Sequence, residues 1–149
     1  MSTIKPFKAL RPPVDKAEFV ACVPYDVIYD SEVRELIADN SLSFLRVTRP
    51  EGEYPEAEKP SSETVFQRAK QNLEEFIRSG VLVQDDEDAI YVYRLTDGDQ
   101  SQTGVVACCA IAEYDAGLIK KHEKTRPDKV ADRTEHMLTV GAQTGLIFL

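Results

Sequence analysis

The sequence predicts an α+β fold, with a mixed or mainly antiparallel sheet and about three helices packed against it. Three observations predict it. Residues 63–79 carry one apolar stripe at helical spacing, two further helical patterns fall near 32–39 and 128–141, and residues 81–114 alternate strand-like runs with turn residues.

In order along the chain, residues 3–10 read as a short strand, stopped by Arg11-Pro12-Pro13. Residues 18–23 form a second buried strand, ended by Pro24 and the polar turn Pro24-Tyr25-Asp26. Asp30 or Ser31 can cap a helix over 32–39, where Val33, Leu36 and Ile37 share a face, and Asn40 can end it. Residues 43–48 alternate as a strand does, and Pro50 closes them. Residues 51–63 hold five glutamates and two prolines, as an acidic loop or a flap that orders on binding.

Ser61 or Ser62 then caps the longest helix, over 63–79. Its stripe is Val65, Phe66, Ala69, Leu73, Phe76 and Ile77, and Gly80 stands where a left-handed cap belongs. Strands over 81–84 and 89–96 flank an acidic turn, and Asp97-Gly98 opens another. Residues 103–114 read as one long buried strand, turning at Asp115-Ala116-Gly117 into Leu118-Ile119-Lys120 as a meander. A last helix covers 128–141, with Pro127 or Asp128 near its start.

The 149 residues suit a single domain over 1–149. The chain closes on the apolar run 145–149 without a polar tail, so it is expected to be the N-terminal part of a longer protein. That terminal run, as an exposed strand, could pair with the missing C-terminal part or with another copy in a homo-oligomer. No apolar run approaches the roughly 18 residues of a membrane helix, and the N-terminus lacks the apolar stretch of a signal peptide. A cytoplasmic protein with no membrane partner is therefore expected.

Eighteen Lys and Arg against 26 Asp and Glu give a net charge of -8, which disfavours nucleic acid as a partner. The three cysteines Cys22, Cys108 and Cys109 lack CxxC spacing, and mostly buried, reduced thiols are expected.

Against that acidic background, residues 120–133 hold six Lys or Arg and three acids. A basic island between a strand and a helix suits a compact anion such as phosphate. It also suits a solvated loop whose charges pair with one another. His122 and Glu123 are neighbours and face opposite ways on an extended segment, so a metal held by protein ligands alone is not expected. A nucleotide-held magnesium needs only one or two carboxylates, for which Glu123, Asp26 and Asp132 are candidates. Asp26 follows the rigid proline turn, as a general base or metal ligand would, or as a simple turn or cap residue would. Arg46 and Arg49 could bind a carboxylate or phosphate, although surface charge is the plainer reading of Arg49. His136, on the last helix, is expected at the surface or half-buried. Walker A, GxGxxG, GxSxG and Cys-His catalytic patterns are absent.

The strings IKPFKALRP, VPYDVI, NSLSFLRVTRPE, YVYR and GVVACCAIAEYDAGLIKKHEKT, with a following DR, carry a family resemblance. From about residue 3 to the end, the chain resembles the bacterial and archaeal family known as domain of unknown function 1015. Leu95 stands where members often have Gln. Members are longer, and their later half carries a Gly-His-His-Arg signature similar to the ParB/sulfiredoxin-like fold of free-serine kinases; this chain has none.

The resemblance implies a nucleotide-dependent small-molecule kinase when intact, using ATP or ADP with magnesium, with this fragment inactive alone. It singles out Asp26, His122, Glu123, Thr125, Asp132 and Arg133. Glu123 or Asp26 would take the hydroxyl proton or meet magnesium, Lys124 and Arg133 would offset phosphate charge, and Thr125 would donate to a phosphate oxygen. The alternative is a non-catalytic module that binds a small anionic metabolite or nucleotide, or a partner's acidic face.

Overall fold

The computed structural model describes residues 2–120 and 126–146. The fold is α+β, with helices at Ala17–Val20 (α1), Asp30–Asp39 (α2), Leu45–Thr48 (α3), Ser62–Arg78 (α4), Ile111–Asp115 (α5) and Pro127–Val140 (α6). The strands are Ile4–Lys5 (β1), Leu10–Arg11 (β2), Val83–Gln84 (β3), Tyr91–Asp97 (β4), Gln100–Val106 (β5) and Cys108–Cys109 (β6). The chain divides into two compact units, one from residues 1–10, 84–125 and 145–149, the other from 11–83 and 126–144.

In the first unit, β4 and β5 form an antiparallel hairpin in register Tyr91↔Val106 to Asp97↔Gln100. Gly98, at φ +54°, makes the tight turn, as the Asp97-Gly98 pair predicts. The long strand expected over 103–114 is instead broken in two and followed by a helix. Up to Val106 the run pairs with β4; from Cys108 it pairs with β1, Ile4 opposite Cys109. Residues 111–115 then turn helical as α5, and the Glu113 carboxylate takes both the Thr3 N–H (2.7 Å) and the Thr3 hydroxyl (2.6 Å). The expected meander is thus a helix, ended by Gly117 at φ +71°. Most of the hairpin is exposed on both faces, and Cys22, Cys108 and Cys109 are free and exposed rather than buried.

In the second unit the core gathers on α4. Ala69, Leu73 and Phe76 pack with Val20, Val47, Val81, Leu82 and Val140. The Ser61 hydroxyl accepts the Thr64 N–H at 3.3 Å, and Gly80 ends the helix region at φ +68°, both as expected. Ile77, expected in the stripe, is exposed, and the polar Asn72 is buried in its place.

Two strands expected here are helical. Residues 43–48 bury Ser43, Leu45 and Val47 at a period of two, which imitates a strand. The backbone is nonetheless α3, because α2, α4 and the 3-10 turn Pro50–Glu53 enclose it on more than one side. Residues 17–20 form α1, and only Val20 of that helix is buried. The acidic stretch begins as that ordered 3-10 turn, with Gly52 against α2. A Cβ on Gly52 would stand 2.5 Å from Val33 Cγ1 and 2.9 Å from Ile37 Cδ1, so only glycine fits without a shift.

Two side chains hold this unit's polar interior. Arg49, expected as surface charge, is 13% exposed and reaches back to the proline turn. Its Nη1 donates to the carbonyls of Tyr25 (2.6 Å) and Ile28 (3.0 Å), Nη2 pairs with Asp30 (2.5 Å), and Nε pairs with Glu51. Its position just after α3 lets one guanidinium satisfy turn carbonyls that have no helical partner. His136, expected at the surface or half-buried, is 1% exposed and lies edge-on to Phe66 at 5.5 Å. Its Nε2 sits 3.0 Å from the Val47 carbonyl; a carbonyl only accepts, so Nε2 carries the hydrogen. Nδ1 has no partner. Burial pushes the imidazole below its ordinary 6.5, with Arg133 in the same direction and the Val47 carbonyl, Asp132 and Glu51 opposing.

The unfolded chain accepts a proton at His136 that the folded chain resists. Stability is therefore full above about pH 6.5 and falls as pH drops toward 5. Thermal melting across pH 5–8 checks this. His136→Gln, which keeps a donor but cannot take the proton, should flatten the decline between pH 6.5 and 5. An unchanged decline would contradict the assignment. Arg49→Met should cost about 2–4 kcal/mol by denaturant unfolding, because the turn carbonyls lose their donors. A loss below about 0.5 kcal/mol would show that the turn holds itself.

Candidate functional site

The proline turn places Tyr25 and Asp26 at the surface of the second unit, with Tyr25 half-buried and Asp26 exposed. Arg49 holds this turn from beneath by the Tyr25 and Ile28 carbonyls. From α6, the Arg133 guanidinium lies 4.6 Å from the centre of the Tyr25 ring. Two motifs about a hundred residues apart in sequence are therefore neighbours in space.

Local helix chemistry accounts for how α6 presents Arg133. Pro127 occupies the first turn, where its missing N–H costs nothing, and Gly141 ends the helix at φ +75°. His136, one turn beyond Arg133, ties the helix to the Val47 carbonyl of α3. Arg133 stands on the same side as His136 and is 27% exposed.

Within the site, Arg133 Nε (2.8 Å) and Nη2 (2.6 Å) both donate to one oxygen of Asp132. Its Nη1 has no hydrogen-bond partner among the described residues, and neither has the Asp26 carboxylate. The neighbourhood thus offers an aromatic ring, a planar cation with one free edge, and a free carboxylate. A stacked guanidinium is fixed in orientation yet can still fork onto a phosphate or carboxylate. Among the described residues no three metal-ligating side chains gather at one point. Asp26 and Asp132 are the carboxylates here that could meet a magnesium carried by a nucleotide.

Of the residues singled out from sequence, Asp132 and Arg133 pair with each other beside Tyr25, and Asp26 is the next residue in the chain after Tyr25. His122, Glu123, Lys124 and Thr125 lie outside the described residues. Arg46 meets a different set of partners: Glu53 at 2.5 Å, the Ser41 carbonyl at 3.0 Å and Asn72 at 3.3 Å. Sequence reasoning missed Tyr25 as the stacking partner and Arg49 as the support of the turn. Tyr25 lay inside a motif already noted, but nothing local marks its pairing with a distant arginine. For Arg49 the signal was the adjacent Pro50-Glu51, which returns a carboxylate onto the same guanidinium.

No helix among the described residues is long and apolar enough to cross a membrane. No curated protein and no solved structure matches the chain. Residues 4–149 match the model of the family described as Protein of unknown function (DUF1015), and the chain belongs to that family.

Proposed function

We propose that the Tyr25–Asp26 turn and the Asp132–Arg133 pair grip the phosphate end of a small metabolite or nucleotide. In the intact protein they would form one wall of a small-molecule kinase site. The observation that carries this reading is the Arg133 guanidinium lying 4.6 Å over the ring of Tyr25, whose chain neighbour Asp26 has no partner among the described residues. A transferring phosphoryl group is stabilised chiefly by positioned cations, and its acceptor hydroxyl needs a nearby carboxylate. In this reading Arg133 supplies the cation and Asp26 acts as the base. A nucleotide with magnesium would bring its own metal to Asp26 or Asp132. Lys124 and Thr125 remain candidates for phosphate contacts, and His122 and Glu123 for the proton. The acceptor in this reading is an amino-acid hydroxyl such as that of free serine.

A binding module without chemistry is the second reading. It is favoured by Asp132, which already takes two of Arg133's donors and offsets part of its charge.

The test incubates the intact protein with ATP or ADP, magnesium and a panel of amino acids. A phosphorylated product is expected, and no product across the panel would contradict the kinase reading. Calorimetry separates the second reading, which predicts tight nucleotide binding without turnover. Arg133→Ala should weaken nucleotide binding about tenfold or more, equivalent to at least about 1.4 kcal/mol. Arg133→Lys should recover only part, because an ammonium neither stacks nor forks as a guanidinium does. Equal affinity in all three proteins would exclude Arg133 from the site.

A further inference from the structure

A second polar place in the same unit lies on α4. Arg68, Gln71, Asn72, Glu75 and Arg78 recur at three- and four-residue spacing on one helix face. With Glu74 and with Arg46 of α3 they line a depression of about 350 Å³. Three of these lining residues also hold Glu53: Arg46 Nε (2.5 Å) and Asn72 Nδ2 (3.0 Å) donate to one of its oxygens, and Arg68 Nε donates to the other. Asn72 is 3% exposed, and Arg46 Nη2 and the Arg46 carbonyl lock its amide in place. Donors from α3 and α4 thus converge on one oxyanion, which the chain supplies from its own 3-10 turn.

Glu53 alone accepts from the two guanidiniums of Arg46 and Arg68, while Glu74 and Glu75 line the same depression. Among the described residues the terminal nitrogens of Arg68 and the side chain of Gln71 have no hydrogen-bond partner. Two other lining residues, Arg78 and Glu75, pair with each other. A phosphate monoester carries about 1.5–2 negative charges near pH 7 and three acceptor oxygens, so it matches two guanidiniums better than one carboxylate does.

We propose that this depression is an oxyanion site for the phosphate group of a small metabolite or for free phosphate. Glu53 is its internal occupant when no ligand is bound. Binding turns the Glu53 side chain outward while the backbone stays, because Gly52 is wedged against Val33 and Ile37. The incoming phosphate takes over the Arg46, Arg68 and Asn72 donors and adds the free nitrogens of Arg68 and the amide of Gln71. The inference is independent of the Tyr25–Arg133 reading, since the two places share no side chain.

The experiment is a nuclear magnetic resonance titration of the full chain with inorganic phosphate, methyl phosphate and acetate. Phosphate should shift the amide signals of Arg46, Arg68, Gln71 and Asn72, and acetate should shift them far less. A response to methyl phosphate as well identifies the phosphate group of a metabolite; a response to inorganic phosphate alone identifies free phosphate. Glu53→Gln, which removes the competing charge and keeps the shape, should bind phosphate at least tenfold more tightly. Arg68→Gln should bind it at least tenfold more weakly. Equal or weaker binding by a folded Glu53→Gln would overturn the proposal and make Glu53 a structural partner only. Should Glu53→Gln fail to fold, unchanged phosphate affinity in Arg68→Gln would overturn it, as would the absence of any response in the unsubstituted chain.

Discussion

The Arg49 guanidinium is the constraint on which the second unit's polar architecture depends. One side chain joins the end of α3, the proline turn at Tyr25, the start of α2 at Asp30 and the 3-10 turn at Glu51. The two carbonyl contacts matter most. Asp30 is largely exposed, so its ion pair contributes little, whereas a turn carbonyl without a donor inside the unit is costly. Arg49 holds the backbone of the turn from which the Tyr25 ring meets Arg133 of α6. Arg133 then needs only its place on the helix to reach that ring.

The same logic of paired charge runs through the unit. The chain carries an excess of eight negative charges, yet four of the unit's partly buried arginines meet a carboxylate, whereas the buried Nε of Arg34 has no hydrogen-bond partner among the described residues. Arg46 and Arg68 share Glu53, Arg49 takes Glu51 and Asp30, and Arg133 takes Asp132. Partial burial makes each arrangement geometrically specific, because a guanidinium that loses its partner there is poorly hydrated. Where the pairing is incomplete, donors remain available: the free edge of Arg133 and the terminal nitrogens of Arg68. Those two places, rather than the net charge, are where an anion could find a foothold on an acidic protein.

Much of this fold was legible because helices announce themselves locally. The stripe of α4, its Ser61 cap and Gly80, the Pro127 start of α6 and the Gly98 turn each depend on residues within a few positions of one another. What was not legible depended on distant partners. Residues 43–48 imitate a strand because α2, α4 and the 3-10 turn bury alternate side chains of a short helix. The run 103–114 breaks because it changes partner from β4 to β1, which no local pattern reveals. The candidate site divided the same way. Asp26 and the Asp132–Arg133 pair could be marked as chemical residues, but the meeting of Tyr25 with Arg133 and the burial of His136 are tertiary facts.

The claim on which the functional reading rests is that α6 and the proline turn form one place through the contact of Arg133 with Tyr25. A double-mutant cycle on unfolding free energy, using Tyr25→Leu and Arg133→Met, measures that contact most directly. The account predicts a favourable coupling of about 0.5–1 kcal/mol, as expected for a partly exposed cation over an aromatic face. Strictly additive losses in the double variant would contradict it and separate the two motifs.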